Sequence, residues 1–151
     1  MNALSTFPEL VLSEADLTDR IRCAAIDAWV MAQDAATPFH LTGWSRAVAR
    51  GCGQLAHYLV AEGLDGQVRG VLPLTAVRSP IFGKALVSAG FAVDGGVLAK
   101  DERTAQQLVD EFVALAGKLG FTALELRGGA LPADWTRDDT TYLGFATDLA
   151  I

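Results

Sequence analysis

The chain has 151 residues, of which 51% are hydrophobic and 20% are charged, and its formal net charge is −6. This composition is typical of one folded domain and excludes a disordered chain, which would be more polar and more highly charged. Because contacts with nucleic-acid phosphates need clustered Lys and Arg, and the 12 basic residues are scattered, we expect no general nucleic-acid surface.

The sequence also predicts where the protein resides. Its N-terminus has no basic segment followed by an apolar run, so a secretory signal is not expected. No apolar stretch approaches the ~20 residues needed to cross a bilayer, and we therefore expect a cytoplasmic protein that is not transmembrane. Cys23 and Cys52 lack the spacing of metal ligands, and we expect both to be buried, unreactive thiols.

The first element in chain order is a short strand at residues 9–12. Ser13 or Asp16 then caps a helix that continues to about residue 33. Apolar residues at 3.6-residue spacing predict the buried stripe of this helix, although Ile26 and Val30 lie outside it. The stripe comprises Leu17, Ile21, Ala24, Ala25, Ala28 and Met31.

A second, shorter helix is predicted after Pro38, and it ends at residues 51–53, where glycine permits a left-handed cap. The segments 57–62 and 67–77 follow as two strands, joined by a glycine-containing loop typical of a β-hairpin. Because Pro73 has no N–H to donate, the second strand is expected to have a bulge or an unpaired edge at that position.

The remaining elements are a strand at residues 84–88, a long helix that Asp101 opens and Gly120 closes, and strands at 122–127 and 142–149. The spacing of apolar residues predicts that one face of the long helix is buried. That face comprises Leu108, Phe112, Leu115, Ala116 and Leu119.

The order of these elements is β-α-α-β-β-β-α-β-β. Two helices after the first strand, then three antiparallel strands, a helix and a returning strand, resemble the GNAT-like (acyl-CoA N-acyltransferase-like) fold. The resemblance implies an α/β (α+β) domain in which helices flank a mixed, mostly antiparallel sheet.

Several separated motifs between residues 35 and 149 indicate a narrower relationship. They are Thr37-Pro38-Phe39-His40 with Trp44, His57-Tyr58-Leu59, Gly70-Val71-Leu72-Pro73-Leu74, the run 79–83, Leu86-Val87-Ser88, Gly95-Gly96 and Leu124-Glu125-Leu126-Arg127. The series resembles the FemAB-related proteins associated with PEP-CTERM/exosortase systems, in which two GNAT-like domains lie side by side. The resemblance implies that residues 1–151 are a single GNAT-like domain, the N-terminal half of a protein about twice this length.

The resemblance also implies a function. FemAB-like enzymes move an amino acid from aminoacyl-tRNA onto an amine of a cell-wall precursor. We therefore expect this domain to form part of the substrate groove of an aminoacyl- or acyltransferase in peptidoglycan or exopolysaccharide assembly, and to be inactive alone. The expected partners are the C-terminal GNAT-like domain of the same protein, an aminoacyl-tRNA or other acyl donor, and a cell-wall or polysaccharide precursor.

Two alternatives stay open: a non-catalytic GNAT-like docking module and a stand-alone acetyl-CoA-dependent N-acetyltransferase. Enzymes of the latter kind cradle a pyrophosphate with backbone N–H groups between the fourth strand and the next helix. At this junction Gly95 and Gly96 come early, and Asp101 and Glu102 bring negative charge to the helix N-terminus. We therefore expect no cofactor to bind this domain.

Four residues are candidates for contact with a substrate. Glu125 and Arg127 lie two positions apart on one predicted strand, so their side chains point to the same face of the sheet. An exposed or interdomain ion pair is the alternative for them. His40 and Trp44 lie at the start of the second helix, where the alternative is simple packing. No catalytic residue and no metal ligand is identified.

Overall fold

The computed structural model describes residues 9–81, 83–129, 132, 134–138 and 140. Within these residues the chain forms one six-stranded sheet with helices on both faces. A single 3-10 turn at Pro38–His40 precedes the second helix. The elements are β1 (Leu10–Glu14), α1 (Arg20–Met31), α2 (Thr42–Cys52), β2 (Leu55–Gly63), β3 (Val68–Ser79), β4 (Gly83–Ser88), β5 (Leu98–Ala99), α3 (Glu102–Leu119) and β6 (Ala123–Glu125).

The strands follow the order β1-β2-β3-β4-β6, and β5 pairs with β3. Every pair is antiparallel except β4 with β6, which is parallel. This arrangement confirms the predicted mixed, mostly antiparallel sheet flanked by helices. The last predicted strand, at residues 142–149, lies outside the described residues.

Two apolar clusters cover the two faces of the sheet. Successive residues of a strand point to opposite faces, so Val71 faces α1 and Leu72 faces α3. The cluster under α3 includes Leu59, Leu72, Leu74, Leu86, Leu108, Phe112 and Phe121. The cluster under α1 includes Ile26, Val30, Tyr58, Val60, Val71 and Leu98.

Helix α3 forms where its pattern predicts. The carboxylate of Asp101 caps its N-terminus by accepting a hydrogen bond from the Thr104 N–H at 2.8 Å. Gly120 ends the helix in the left-handed conformation, with φ of 69°. The predicted buried positions Leu108 and Phe112 are fully buried, and Trp135 packs against Phe112 with ring centroids 6.0 Å apart.

The predicted stripe and cap of α1 are both wrong. Asp19, rather than Ser13 or Asp16, is the N-cap, and its carboxylate accepts hydrogen bonds from two backbone N–H groups of the first turn. The buried residues are Cys23, Ile26 and Val30, whereas Ile21 is 86% exposed.

Two contacts account for the orientation of α1. The Arg22 guanidinium pairs with the Glu62 carboxylate, with the shorter N–O distance at 2.6 Å. On the other side, the Asp27 carboxylate accepts hydrogen bonds from the backbone and the hydroxyl of Thr42, both at 2.8 Å. These bonds turn the face with Cys23 toward the sheet, and the alanine-rich face is left exposed.

The hairpin β2–β3 forms as predicted, and the expectation about Pro73 is confirmed. On one edge Pro73 pairs with Tyr58 of β2. On the other edge, pairing with β4 stops at Leu74 and Ser88, and the ladder resumes only where Val71 meets Leu98 of β5. Because proline has no N–H, β3 offers no donor there, and the neighbouring chain leaves the sheet.

The two cysteines differ from each other. Cys23 is buried, as predicted, but Cys52 is exposed, so the prediction of two buried thiols is wrong for the second. Cys52 lies in the last turn of α2, where its neighbours Gly51 and Gly53 are exposed as well.

Among the described helices, none combines the length and apolar character needed to span a membrane.

Candidate functional site

The candidate site is built around residues 89–97, the segment that leaves the sheet between β4 and β5. We call this segment the 89–97 loop. It begins with a hydrogen bond from the Ala89 N–H to the Pro73 carbonyl oxygen at 2.9 Å. The next N–H, of Gly90, donates to the buried Thr75 hydroxyl at 3.1 Å. The loop is therefore anchored at its start to β3.

The backbone of the loop is strained. Ala89 and Phe91 have φ angles of 40° and 61°, although neither is glycine. This region costs an L-residue with a side chain roughly 1–2 kcal/mol. Phe91 is also 56% exposed, so burial of its ring does not fully offset the strain. Strained backbone of this kind persists only where surrounding contacts fix it.

Three side chains from other parts of the fold donate hydrogen bonds to carbonyl oxygens of the loop. Trp44 Nε1 donates to the Gly90 oxygen at 3.2 Å. Arg127 Nη1 donates to the Ala92 oxygen at 2.7 Å. His40 Nε2 lies 3.2 Å from the Gly96 oxygen. These three are all among the candidates that the sequence predicts, and the structure brings them together on one loop.

His40 is buried, and its surroundings set its tautomer. Its Nδ1 accepts a hydrogen bond from the Thr37 N–H at 3.0 Å, so Nε2 carries the hydrogen that is donated to Gly96. Burial lowers the pKa of His40, an effect partly opposed by the Gly96 carbonyl and the Asp94 carboxylate. With both ring nitrogens engaged and the ring neutral, His40 positions the loop and is not placed to abstract a proton.

Tyr58 fixes the backbone next to His40. Its hydroxyl donates to the His40 carbonyl oxygen in the interior of the fold. Burial raises the pKa of Tyr58, with a smaller contribution from the Asp27 carboxylate, so the hydroxyl stays protonated and remains a donor. The 3-10 turn that contains His40 is therefore tied to β2 as well as to the 89–97 loop.

Trp44 combines packing with its hydrogen bond. Its ring meets the Phe39 ring edge-to-face, with centroids 4.8 Å apart and planes at 72°. Phe39 in turn lies against Gly95, where an added Cβ would lie 2.9 Å from the Phe39 Cβ. Gly95 also has φ of 101°, so both sterics and conformation require glycine there. Trp44 thus packs against Phe39 and also holds the 89–97 loop through its hydrogen bond.

Strand β6 ends at Glu125, so the prediction of one strand over residues 122–127 is wrong at its end, and Arg127 follows the strand. The two residues still form an ion pair, and it lies on the same side of the sheet as the loop. Arg127 Nε lies 2.6 Å from Glu125 Oε1, and the Arg127 N–H donates to the Ser88 hydroxyl at 2.8 Å. The Glu125 side chain is 53% exposed, whereas that of Arg127 is 27% exposed. Arg127 thus holds Glu125 with one nitrogen and the loop with another, and it leaves the carboxylate open to solvent.

Acetyl-CoA does not fit the residues that are present. The first turn of α3, whose N–H groups would bind a diphosphate, is already capped by the Asp101 carboxylate and carries Glu102. The hydrogen bond from Thr104 lowers the pKa of Asp101, so the position stays negatively charged near neutral pH. A diphosphate there would meet two carboxylates, one of which already holds the Thr104 N–H.

The adjoining part of the sheet is closed as well. Val97 and Gly129 form a parallel β-bridge, and a Cβ on Gly96 would collide with the carbonyl oxygen of Gly128. The loop backbone therefore packs directly on the backbone that follows β6. In the described part of the chain, no three His, Cys, Asp or Glu side chains are grouped closely enough to hold a metal ion.

The sequence did not reveal several residues of this cluster. Thr37 and Tyr58 fix His40, Ser88 receives Arg127, and Thr75 anchors the loop. The signal available in the sequence was the pair Gly95-Gly96, because adjacent glycines mark close backbone approach.

Comparison with solved structures identifies the fold. A ribosomal-protein-alanine N-acetyltransferase from Brucella melitensis biovar Abortus 2308 matches with a TM-score of 0.57 and 17% identity, over 89% of this chain and 98% of that one. A GNAT family acetyltransferase from Brucella melitensis in complex with acetyl-CoA matches with a TM-score of 0.56 and 20% identity, over 84% and 80% of the two chains. An aminoglycoside acetyltransferase from an uncultured soil metagenomic sample matches with a TM-score of 0.56 and 10% identity, over 91% of this chain and 97% of that one.

These likenesses show that the chain has the GNAT N-acetyltransferase fold, as the order of its elements predicts. At identities of 20% or less they carry the fold alone. No protein-family model and no curated protein matches the sequence.

Proposed function

We propose that this chain is the substrate-side GNAT-like domain of a FemAB-like aminoacyl- or acyltransferase, acting in peptidoglycan or exopolysaccharide assembly. The single observation that carries the proposal is the capped N-terminus of α3, where the Asp101 carboxylate occupies the position that a CoA diphosphate would need. A GNAT-fold domain closed to CoA needs another acyl donor. An aminoacyl-tRNA, or a similar activated acyl group held by a second GNAT-like domain, supplies one.

Glu125 is the residue proposed to contact the acceptor. Its carboxylate is half-exposed, faces the 89–97 loop side of the sheet, and is oriented by Arg127. An acceptor amine that arrives as an ammonium ion is attracted to such a carboxylate. His40 and Trp44 act as positioning residues, because they fix the loop that borders this surface.

The transfer itself needs no redox step. The acceptor, which arrives as an ammonium ion, first loses one proton to solvent; the neutral amine then attacks the carbonyl carbon of the acyl donor and forms a C–N bond. The tetrahedral oxyanion then collapses, the bond to the leaving-group oxygen breaks, and that oxygen takes up the proton that the amine releases. The part proposed for this chain is to bind and orient the amine.

The first experiment asks whether CoA binds. The purified chain is melted with increasing CoA and acetyl-CoA, and the proposal expects no change in melting temperature. A ligand at about 100 times its Kd would stabilise the fold by about 2.7 kcal/mol. A clear, saturable shift with either ligand would reject the proposal and favour the stand-alone acetyltransferase instead.

The second experiment asks whether Glu125 holds the acceptor. Binding of a cell-wall stem peptide with a free amine is followed by NMR amide shifts, with the N-acetylated peptide as matched ligand. We expect Glu125→Gln to weaken binding of the amine at least tenfold, because hydrogen bonds to charged groups contribute roughly 1.5–3 kcal/mol. Glu111→Gln, on the opposite face, is the control variant. Equal binding of both peptides, or equal loss in both variants, would remove Glu125 from the site.

The stand-alone N-acetyltransferase is kept as a second candidate for one reason. The likeness to the Brucella ribosomal-protein-alanine N-acetyltransferase covers 98% of that chain and 89% of this one. The CoA titration separates the two candidates directly. A non-catalytic docking module would show neither CoA binding nor recognition of the free amine.

A further inference from the structure

The tip of the hairpin β3–β4 brings two positive charges together, at the end of β4 far from the candidate site. Arg78 of β3 and Lys84 of β4 are direct cross-strand partners, so their side chains lie on the same face of the sheet. Both residues are exposed. Lys84 begins β4 and Ser88 ends it, so about 13 Å of strand separates this tip from the 89–97 loop.

Both cations approach a single aromatic ring. The Arg78 guanidinium carbon lies 4.8 Å from the centroid of the Phe121 ring, and Lys84 Nζ lies 5.6 Å from it. Each contact is favourable by itself. Together they hold two like charges side by side, and like charges placed directly opposite each other destabilise a strand pair.

Neither cation has an acidic partner in the part of the chain that the structure describes. This sets them apart from three arginines that pair with carboxylates: Arg22 with Glu62, Arg69 with Asp65, and Arg127 with Glu125. In a chain with a net charge of −6, two adjacent unpaired cations are unusual.

The C-terminus of α3 explains only part of this arrangement. That helix ends at Gly120, and its partial negative charge attracts a cation. Lys84 Nζ lies 3.6 Å from the position of a Cβ on Gly120, so its positive charge lies close to this helix C-terminus. Lys118 already provides a positive charge in the last turn. Among the described residues, the Arg78 guanidinium has the Phe121 ring as a neighbour but no carboxylate.

A shallow cavity of about 430 Å³ borders the two residues. It is lined by Arg78, Ser79, Pro80, Gly83 and Lys84, and no acidic residue is among them. Next to it, Ile81 is 83% exposed at the tip of the hairpin. A small anion seated here would be contacted by two cations and bordered by an apolar side chain.

From this geometry we infer that the β3–β4 hairpin is a phosphate-binding site, in which Arg78 and Lys84 hold one phosphate group. Arginine binds phosphate through a planar fork of N–H donors, and lysine adds a mobile point charge. The bound phosphate relieves the repulsion between the two cations. It belongs either to a soluble phosphorylated molecule or to an anionic lipid headgroup, against which Ile81 would pack. The inference does not depend on the proposed acyl transfer.

Two binding measurements on the full chain test the site and separate the two sources. The first titrates inorganic pyrophosphate and follows the amide shifts of Gly83 and Lys84 by NMR. The second measures co-sedimentation with phosphatidylglycerol vesicles and with neutral phosphatidylcholine vesicles. The variants are Arg78→Gln and Lys84→Gln, and Lys100→Gln removes an equal charge from an exposed position beside Arg69, at the opposite end of β3. The melting temperature of each variant confirms that it is folded.

We expect Arg78→Gln and Lys84→Gln each to weaken binding at least tenfold, and Lys100→Gln to change it less than twofold. Binding of pyrophosphate supports a soluble ligand, whereas binding confined to phosphatidylglycerol vesicles supports a headgroup. Absence of binding in both measurements would overturn the inference. Equal weakening by all three variants would also overturn it, because the loss of binding would then follow from the lower net charge of the protein and not from this site.

Discussion

The two faces of the sheet differ in what holds them together. Under α3, aliphatic and aromatic side chains such as Leu74 and Phe112 pack in a continuous cluster. On the face of α1 and α2, the sheet contacts a strained loop whose carbonyl groups are held by Trp44, Arg127 and His40. The comparison teaches that apolar burial alone stabilises the α3 face, whereas the other face combines an apolar cluster under α1 with polar contacts that fix one loop in an unfavourable conformation.

The largest expected effect breaks the apolar face. Phe112→Ala should lower the free energy of unfolding by about 3–5 kcal/mol, because it removes a fully buried ring and leaves a cavity. Urea denaturation gives the value. Val113→Ala, at the neighbouring exposed position of α3, should change it by less than about 0.5 kcal/mol. Similar losses in the two variants would contradict the assignment of this face as the core.

The next prediction measures the strain on the loop face. Phe91→Ala and Phe91→Gly both remove the ring, so their difference reports the backbone. Because φ is 61° at this position, the Gly variant should be the more stable by about 1 kcal/mol. Val93 is exposed and its φ is not positive, so Val93→Ala should be more stable than Val93→Gly. If the Ala variant were the more stable one at both positions, the backbone at Phe91 would be unstrained.

A pH profile then sharpens the comparison at His40. Burial lowers the pKa of His40 below its ordinary value of 6.5, so the unfolded chain binds a proton more readily than the folded one. Stability relative to His40→Gln should therefore be greatest above pH 6.5 and decline as the pH falls toward the folded pKa. Unfolding free energies of both proteins between pH 8 and 5 provide the measurement. Parallel profiles would mean that the ring is solvated.

The smallest expected effect concerns the exposed side of α1. Ile21→Ser should change the unfolding free energy by no more than about 0.5 kcal/mol, because the side chain is almost fully exposed. Ile26→Ala, one turn further along, should cost about 2–5 kcal/mol. Chemical denaturation of the two variants compares the two faces of one helix. A large loss with Ile21→Ser would restore the stripe predicted from the sequence.

The parts of the fold that the sequence predicts correctly have one physical feature in common. In α3 the apolar residues occupy a single face, and Asp101 and Gly120 mark its ends, so local signals and packing agree. The hairpin β2–β3 has two largely apolar strands and a loop with Gly66 in the left-handed conformation. In these segments the residues near in sequence decide the outcome.

Helix α1 shows where such reasoning stops. Apolar residues lie around most of its circumference, so periodicity offers two possible buried faces. The choice depends on the contacts of Arg22 with Glu62 and of Asp27 with Thr42, which are 40 and 15 residues apart in sequence. Long-range pairs of this kind leave no periodic signal.

Three side chains of the candidate site were candidates in the sequence, but the residues that fix them and their arrangement were not predicted. His40, Trp44 and Arg127 were identified separately, as motif residues or as half of an ion pair. Their shared target is the 89–97 loop, and its carbonyl groups carry no side-chain signature in the sequence. His40 and Gly96 are 56 positions apart. Only the folded chain shows that these donors hold one segment.

Pro73 lies in the middle of the central part of the sheet, where its missing hydrogen lets the adjacent strand depart without leaving a buried donor unsatisfied. The sheet is therefore interrupted at a fixed position, between the pairing of β3 with β4 and that of β3 with β5. We expect that a segment of different length or chemistry can replace residues 89–97 while β3 stays paired with β4 and with β5. A single imino acid thus makes this fold receptive to new loops at the spot where its polar side chains converge.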